Sequence, residues 1–596
     1  MKTLRRISKN RAFTHVRILT AVLLVLAAAA LVFLAVSPHV AAQPTARPQP
    51  LIPKFSTAVA FDVSPALRSL PLAKKFVADP SKLLEIRPER GPRAHSRGYK
   101  SGDAALQALT AAVAIPSPLG NFEGLSNQDN LNIFGFRVNP PDPNGEVGPN
   151  NYVEMINLVF AVYDKAGNLL VGPIDTGSLW TGFAIPDCTD PSGDPVVLYD
   201  QTTDHWILSQ FTTRGLDDPT LPFYNCVAVS QTGDPTGTYY RYAFITQPDE
   251  VDGGYFFPDY PKYGVWTNSY ILTTRDFGLI DRYGISVYAL EKNKMVNGEP
   301  NARAVQFFLE ADVTPTGTVP LELVGDGLLP PDMDGHRRPI DGAPAPIVGT
   351  QDDNADYGAT FDALNIWELS VQWKARPSAS IRLAAQLPTA PFDSIFPCAP
   401  TSRDCLPQPG ITDPTQYLDI LSYRQRPTFR LAYRNFGTYE ALVTNQSVEA
   451  RPGVAGVRWY EIRRSGGSYS VYQQGTYAPN DGVHRWMGSI AQDKNGNMAL
   501  GYSVVNGVNV YPGIRYTGRL AGDPLGQMTL GEGVIINGSG VQTNTNSRWG
   551  DYTDMTVDPT DDCTFWYVNE YYQTTQPPPD RNWQTRIASF KLPGCH

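Results

Sequence analysis

The stretch SRWGDYTDMTVDPTDDCTFWYVNEYY (547–572) repeats, in other letters, the plan of HRWMGSIAQDKNGNMALGYS (484–503). Each opens on Arg-Trp, runs through a short alternating strand, turns at an Asp-containing loop and returns through a second apolar run. A hairpin of this kind cannot bury its apolar face alone, so a repeated copy points to stacked units. Five earlier openings fit: GPNNYVEMIN (148–157), GDPVVLYDQTTDHWILSQF (193–211), PDYPKYGVWTNSYILTT (258–274), APAPIVGTQDDN (343–354) and RPTFRLAYRNFGTYEALVTN (426–445). The sixth unit carries four strands, WMGSIAQD, MALGYSVV, GIRYTGRL and TLGEGVII. Seven such units in series, four-stranded where they are clearest, predict an all-β, seven-bladed β-propeller over residues 119–596.

The seventh unit offers only three strands, YTDMTVD, TFWYVNEYY and TRIASFKL. An open blade would expose an unpaired edge. A strand from ahead of the first unit, such as LNIFGFRV (131–138), is therefore expected to complete it. The 51 Gly, 52 Pro and 30 Tyr agree with many short strands joined by tight turns.

The N-terminus reads as a targeting segment. MKTLRRISKNRAFTHVR is basic, residues 18–36 are apolar without charge, and Val40 and Ala42 stand at the −3 and −1 positions of a signal-peptidase site. The apolar stretch suits either a cleaved signal peptide or a retained membrane anchor, so residues 1–42 are expected to export the chain. Residues 43–118, rich in Pro, Ala, Arg and Lys, read as a largely disordered linker. Six cysteines in an exported chain predict disulfides, and spacing suggests Cys188–Cys226, Cys398–Cys405 and Cys563–Cys595. With a net charge of −9 and no basic run beyond the N-terminus, a nucleic-acid partner is excluded. No HExxH, GxSxG or P-loop motif occurs, which removes support for zinc-protease, serine-hydrolase and nucleotide-hydrolase readings.

PPDPNGEVGPNNYVEMIN, YRNFGTYEALVTN with GVRWYEIR, RWMGSIAQDKNGNMALGYS with YPGIRYTGR, and RWGDYTDMTVDPTDDCTFWYVNEYY together resemble a family of secreted bacterial β-propellers related in fold to sialidases. The resemblance covers roughly residues 120–592 and implies a propeller and export, but no particular activity, because one fold serves many chemistries. The sialidase Asp-box, Ser-x-Asp-x-Gly-x-Thr-Trp, is absent.

In a propeller, residues just before each innermost strand converge on one mouth of the central channel. Here they are Glu146, Asp194, Asp259, Arg426, Arg485, Arg548, Trp549 and Asp551. Arg426, Arg485 and Arg548, with Trp549, are candidate ligand-binding residues, because converging guanidinium groups grip a carboxylate through bidentate bonds. Sialidases use three arginines in this way. The alternative is that each arginine pairs with a nearby acid and ties the blades together. Hydrolysis would also need acids or an activated Tyr. Asp551, Glu570 and Tyr571 are the catalytic candidates, with Asp554, Glu440 and Tyr511 behind them. Asp142, Asn144 and Glu146 alternate around Gly145 as oxygen ligands of a Ca²⁺ loop do, although the segment also reads as a plain turn. QDDNAD (351–356) has the same standing, and no other cofactor is expected.

The expected function is binding of an anionic glycan or extracellular polymer at the funnel. Alternatives are a sialidase-like glycoside hydrolase or lyase at the same funnel, and an envelope scaffold without ligand.

Overall fold

The computed structural model describes residues 51–70, 83–85, 103–108 and 113–596, apart from short internal stretches at 247–254, 279–281, 314–316, 341, 356, 397–403, 421–424, 544–546 and 576–581. The segment expected to direct export, residues 1–42 with the apolar stretch 18–36, and Cys398 lie outside the described residues. Among the described residues no helix is long and apolar enough to cross a membrane.

Seven antiparallel sheets surround a central axis as the blades of a β-propeller. The innermost strands, in order, are Asn144–Val147, Val196–Asp200, Phe257–Val265, Pro331–Asp334, Thr428–Asn435, His484–Gln492 and Asp554–Val557. Blades one, six and seven are four-stranded. Blade four is irregular. Its sheet has three strands, Ala345–Gln351, Ala363–Gln372 and Ser378–Pro388, and Pro331–Asp334 leaves it to pair in parallel with the inner strand of blade five.

Residues expected to form a linker add strands to the outer edges of two blades. Lys54–Thr57 pairs with Arg303–Gln306 of blade three, and Ala60–Val63 with Tyr240–Ala243 of blade two. Further on, the fully buried Asp103 receives Arg458 of blade five at 2.9 Å.

Blade seven closes as the edge argument requires, but with a different strand. Gly120–Ser126 pairs with Gln584–Ser589 on its outer edge. Most of LNIFGFRV instead falls in a helix, Asn127–Phe134, and a short strand, Arg137–Asn139. The correction has a local cause. Ser126 and Asp129 form a capping box, with the Ser126 amide donating to Asp129 Oδ2 at 2.8 Å, and Gly135 ends the helix at φ +78°. Cys563–Cys595 staples the blade, Cys188–Cys226 joins the loop after blade one to blade two, and Cys405 is also disulfide-bonded.

Aromatic rings fill the space between blades. The tryptophans of the two Arg-Trp copies, Trp486 and Trp549, pack with ring centroids 5.0 Å apart, and the Trp549 indole donates to Ser503 Oγ at 3.2 Å. Blade six accommodates blade seven through Gly501, where a Cβ would lie 2.4 Å from the Tyr567 ring. The repeated Trp is therefore an inter-blade wedge that buries a large apolar surface.

Candidate functional site

At the end of the channel where the inner strands begin, charged groups from five blades meet. Asp142 precedes the inner strand of blade one, Asp194 that of blade two, Arg426 that of blade five, and Arg548 and Asp551 that of blade seven. Tyr260 and Lys262 come from blade three, where a register shift between Asp259 and Lys262 redirects the strand. The backbone is strained at these entries: Asp142, Asp194, Tyr260, Gln425 and Ser547 all hold positive φ, at +46°, +45°, +55°, +24° and +51°. Non-glycine residues rarely adopt this conformation, and clusters of them mark functional sites.

The group is wired together. The Asp551 amide donates to Asp142 Oδ1 at 2.5 Å, and Asn157 Nδ2 donates to Asp142 Oδ2 at 2.6 Å. Asn157 Oδ1 then accepts the Asp194 amide at 2.9 Å, while the Tyr552 hydroxyl donates to Asp194 Oδ2 at 3.2 Å. Arg548 Nη2 donates to Asp551 Oδ2 at 3.2 Å, and the Gly550 amide donates to Glu570 Oε1 at 3.2 Å. Lys262 is buried with its Nζ 3.2 Å and 3.0 Å from the ring centroids of Tyr260 and Tyr552. Lys262 Nζ, Asp551 Oδ1 and Glu570 Oε2 are buried without hydrogen-bond partners among the described residues. Unsatisfied buried polar atoms are rare in folded proteins.

Burial and crowding divide the carboxyls. Burial first, then the charge of Asp551, pushes Asp142 up to about 7 against the opposing pull of Arg548. Burial likewise pushes Glu570 well above the usual range, with Asp142 and Asp551 adding to it. Asp194 is raised by burial and by Asp142, Asp259 and Asp551. The Lys262 amine is pushed well below its ordinary value by burial, and Asp194 offsets this only in part.

Halfway along the channel, Arg430 binds Asp332 Oδ2 at 2.9 Å and Asp334 Oδ1 at 2.6 Å. Glu146 and Asp554 lie in the same charged group, both raised chiefly by burial with Arg430 opposing.

The remaining sequence candidates are dispersed. Arg485 is buried against Asp481 and Glu532, each at 2.7 Å, so its guanidinium does not join Arg426 and Arg548. Trp549 is an inter-blade core residue. Tyr571 points to the opposite face of its strand from Glu570 and donates to Glu123 at 2.9 Å. Glu440 pairs with Arg464 at 3.1 Å. Asp142 and Glu146 belong to different charged groups, and the Asn144 amide between them is committed, donating to Asp554 at 2.9 Å and accepting from Val197 at 2.7 Å. Among the described residues, the carboxylates that come within 4.8 Å of one another in ligand-like geometry are Asp352, Asp353 and Asp362 of blade four. Sequence reasoning missed Lys262, Tyr260, Tyr552 and Arg430. The signal for the first two was the Asp-Tyr-Pro-Lys run, because Pro inside an inner strand marks a bulge.

No protein-family model matches the chain, and no curated protein matches it by sequence. Solved structures with a similar course of chain include an exo-β-1,3-galactanase from Clostridium thermocellum (11% identity, 80% of this chain and 97% of that one, TM-score 0.28). An α-L-arabinanase from Penicillium chrysogenum in complex with arabinobiose is another (10% identity, 67% and 94%, TM-score 0.27). A third is an endo-arabinase from Bacteroides thetaiotaomicron (14% identity, 54% and 92%, TM-score 0.25). A likeness at this level assigns no activity.

Proposed function

We propose that this chain is an exported carbohydrate-active propeller that hydrolyses glycosidic bonds at the end of the channel where the inner strands begin. The observation that carries the reading is the unequal pair Asp142 and Asp551. Asp142 is held up to about 7 and so can exchange a proton near neutrality, while Asp551 is paired with Arg548. Two adjacent carboxyls in unlike surroundings, one buried and raised and one ion-paired to an arginine, are what acid–base cleavage of an acetal uses. Asp142 gives its proton to the departing glycosidic oxygen as the C–O bond breaks. Asp551 takes a proton from the water whose oxygen joins the anomeric carbon. The Asp551 side chain retains 14% exposure, with Oδ1 buried and Oδ2 held by Arg548. Arg426 faces the same group and offsets the negative charge that the pair carries, and the Lys262 amine, moved toward its neutral form by burial, offers unpartnered hydrogen-bond donors there.

A sialidase-like clamp would need three converging arginines, whereas Arg485 is occupied elsewhere. The reading is therefore centred on the acids. Export is supported by the bonded state of the five described cysteines, since disulfides persist in oxidising compartments.

The test is release of reducing sugar from arabinans, galactans and uronic-acid polymers, with parent and Asp551→Asn proteins compared. Release from a polymer that is lost in Asp551→Asn supports the reading. Retention of a polymer without any release by the parent would leave a glycan-binding propeller instead.

A further inference from the structure

At the opposite end of the channel, where the inner strands finish, the turns enclose a cavity of about 280 Å³. It is bounded by the residues that follow Pro331–Asp334, by the end of the blade-five inner strand, and by the hairpin turns of blades six and seven. Its size is close to the lower bound of small-ligand sites, ~300 Å³.

The charges lining it do not cancel. Asp562 is held by Arg434 at 2.7 Å, and Asp334 by Arg430 at 2.6 Å. Arg337 has no ion-pair or hydrogen-bond partner among the described residues, and Lys494 Nζ reaches only the Asp561 carbonyl, at 3.1 Å. His336 also lines the cavity and is exposed. Two cations therefore stand uncompensated in a pocket of a chain whose net charge is −9. A scattered surface lysine would be neutral ground, but here an arginine and a lysine from different blades border one concave space. Beside them, the half-buried Phe436 ring offers an apolar face.

We infer that this cavity binds a sugar unit bearing an oxyanion, a carboxylate or a sulfate, with Arg337 and Lys494 gripping the anion. Arg337 supplies the planar fork and Lys494 the point charge, the two common means of holding such groups. The sugar ring sits against Phe436. A polyanionic nucleic acid would need a broad basic face, and two charges do not make one. The site is separate from the Asp142–Asp551 pair, so it does not depend on the hydrolase reading.

Calorimetric titration of the full chain tests it with four probes: digalacturonate, a sulfated galactose disaccharide, neutral digalactose and inorganic sulfate. At least one anionic disaccharide is expected to bind, and which one does identifies the oxyanion. Neutral digalactose is expected not to bind. Arg337→Ala and Lys494→Ala should each weaken binding about tenfold, the effect of losing one charge-assisted bond. Both side chains are exposed, so both variants should melt like the parent. Asp551→Asn should bind as the parent does, which separates this site from the proposed catalytic one. The inference is overturned if neither anionic disaccharide binds, if only inorganic sulfate binds, if the neutral sugar binds equally well, or if the double variant keeps the parent affinity.

Discussion

The two ends of the channel are built from the same seven inner strands yet treat charge in opposite ways. Where the strands begin, Asp142, Asp194, Glu570 and Lys262 are buried, and burial moves each toward its neutral form. Where they finish, Arg337 and Lys494 stand in solvent. The difference follows from position. Strand entries are packed against aromatic rings from adjacent blades, whereas the turns project beyond the last layer of packing. Burial converts carboxyls into groups that exchange protons near neutral pH, and exposure leaves guanidinium and ammonium groups as constant charges. One end is suited to moving protons and the other to recognising a fixed anion.

Asp551→Asn breaks this contrast most directly. Turnover on the responsive polymer should fall by ~10²–10⁴-fold, the usual contribution of a positioned acid–base group. Arg337→Ala should leave kcat unchanged. Equal losses of kcat in both variants would mean that the two ends are one site.

Next in size is Arg430→Ala, which strikes the layer between the ends. It would leave Asp332 and Asp334 buried without their cation, a loss of about 3–5 kcal/mol for a broken buried pair. Denaturant unfolding should show it as a lower midpoint with an unchanged slope. An unchanged midpoint would show that the layer is hydrated and the ends are not electrostatically insulated.

The pH dependence of stability is a smaller effect and has two limbs. Burial raises Asp142, Glu154 and Asp276 to about 7, so the folded chain holds protons that the unfolded chain has already released. Their contribution is complete below the unfolded carboxyl value and is lost as pH rises through 7. Glu532 has the opposite sign. Burial opposes it, but Arg485 and Arg515 hold it below its usual range, so its contribution is lost as pH falls through the acid region. Melting temperature should therefore peak near ~pH 4, the unfolded carboxyl value, and fall between there and pH 7. A melting temperature that stays level between ~pH 4 and pH 7 would contradict the raised position of these buried acids.

The smallest expected change in stability is that of Lys262→Met. Replacing a buried donor that lacks a partner with an apolar chain of similar length should leave stability within about 1 kcal/mol of the parent. Turnover should nevertheless fall. A variant that loses stability and keeps its rate would make Lys262 a packing residue.

Much of this was legible in the residues, for reasons that also explain the failures. Alternation in MALGYSVV and TFWYVNEYY fixes which face is buried, so the hairpins of blades six and seven could be read directly. Period two also separates Glu570 from Tyr571: neighbours in a strand face opposite ways, and only one could reach Asp142. The closing strand was misassigned because Ile, Phe and Val in LNIFGFRV outweighed the helix start at Ser126. The arginines looked equivalent as residues preceding strands. Arg485, however, is only four residues from Asp481, and a local acid captured it before any convergence at the channel. Convergence across blades depends on pairings that no short window contains.

The strand that seals blade seven has a consequence in time. Thr585 donates to the carbonyl of Leu125, a residue 460 positions earlier. At translation rates of ~5–20 residues per second, Gly120–Ser126 waits roughly half a minute to a minute and a half for its partner to be made. Through that interval Gly120–Ser126 presents a raw hydrogen-bonding edge, the ordinary seed of aggregation. The ring therefore cannot be locked blade by blade as it emerges, and the moment of greatest hazard falls just before the last strand arrives.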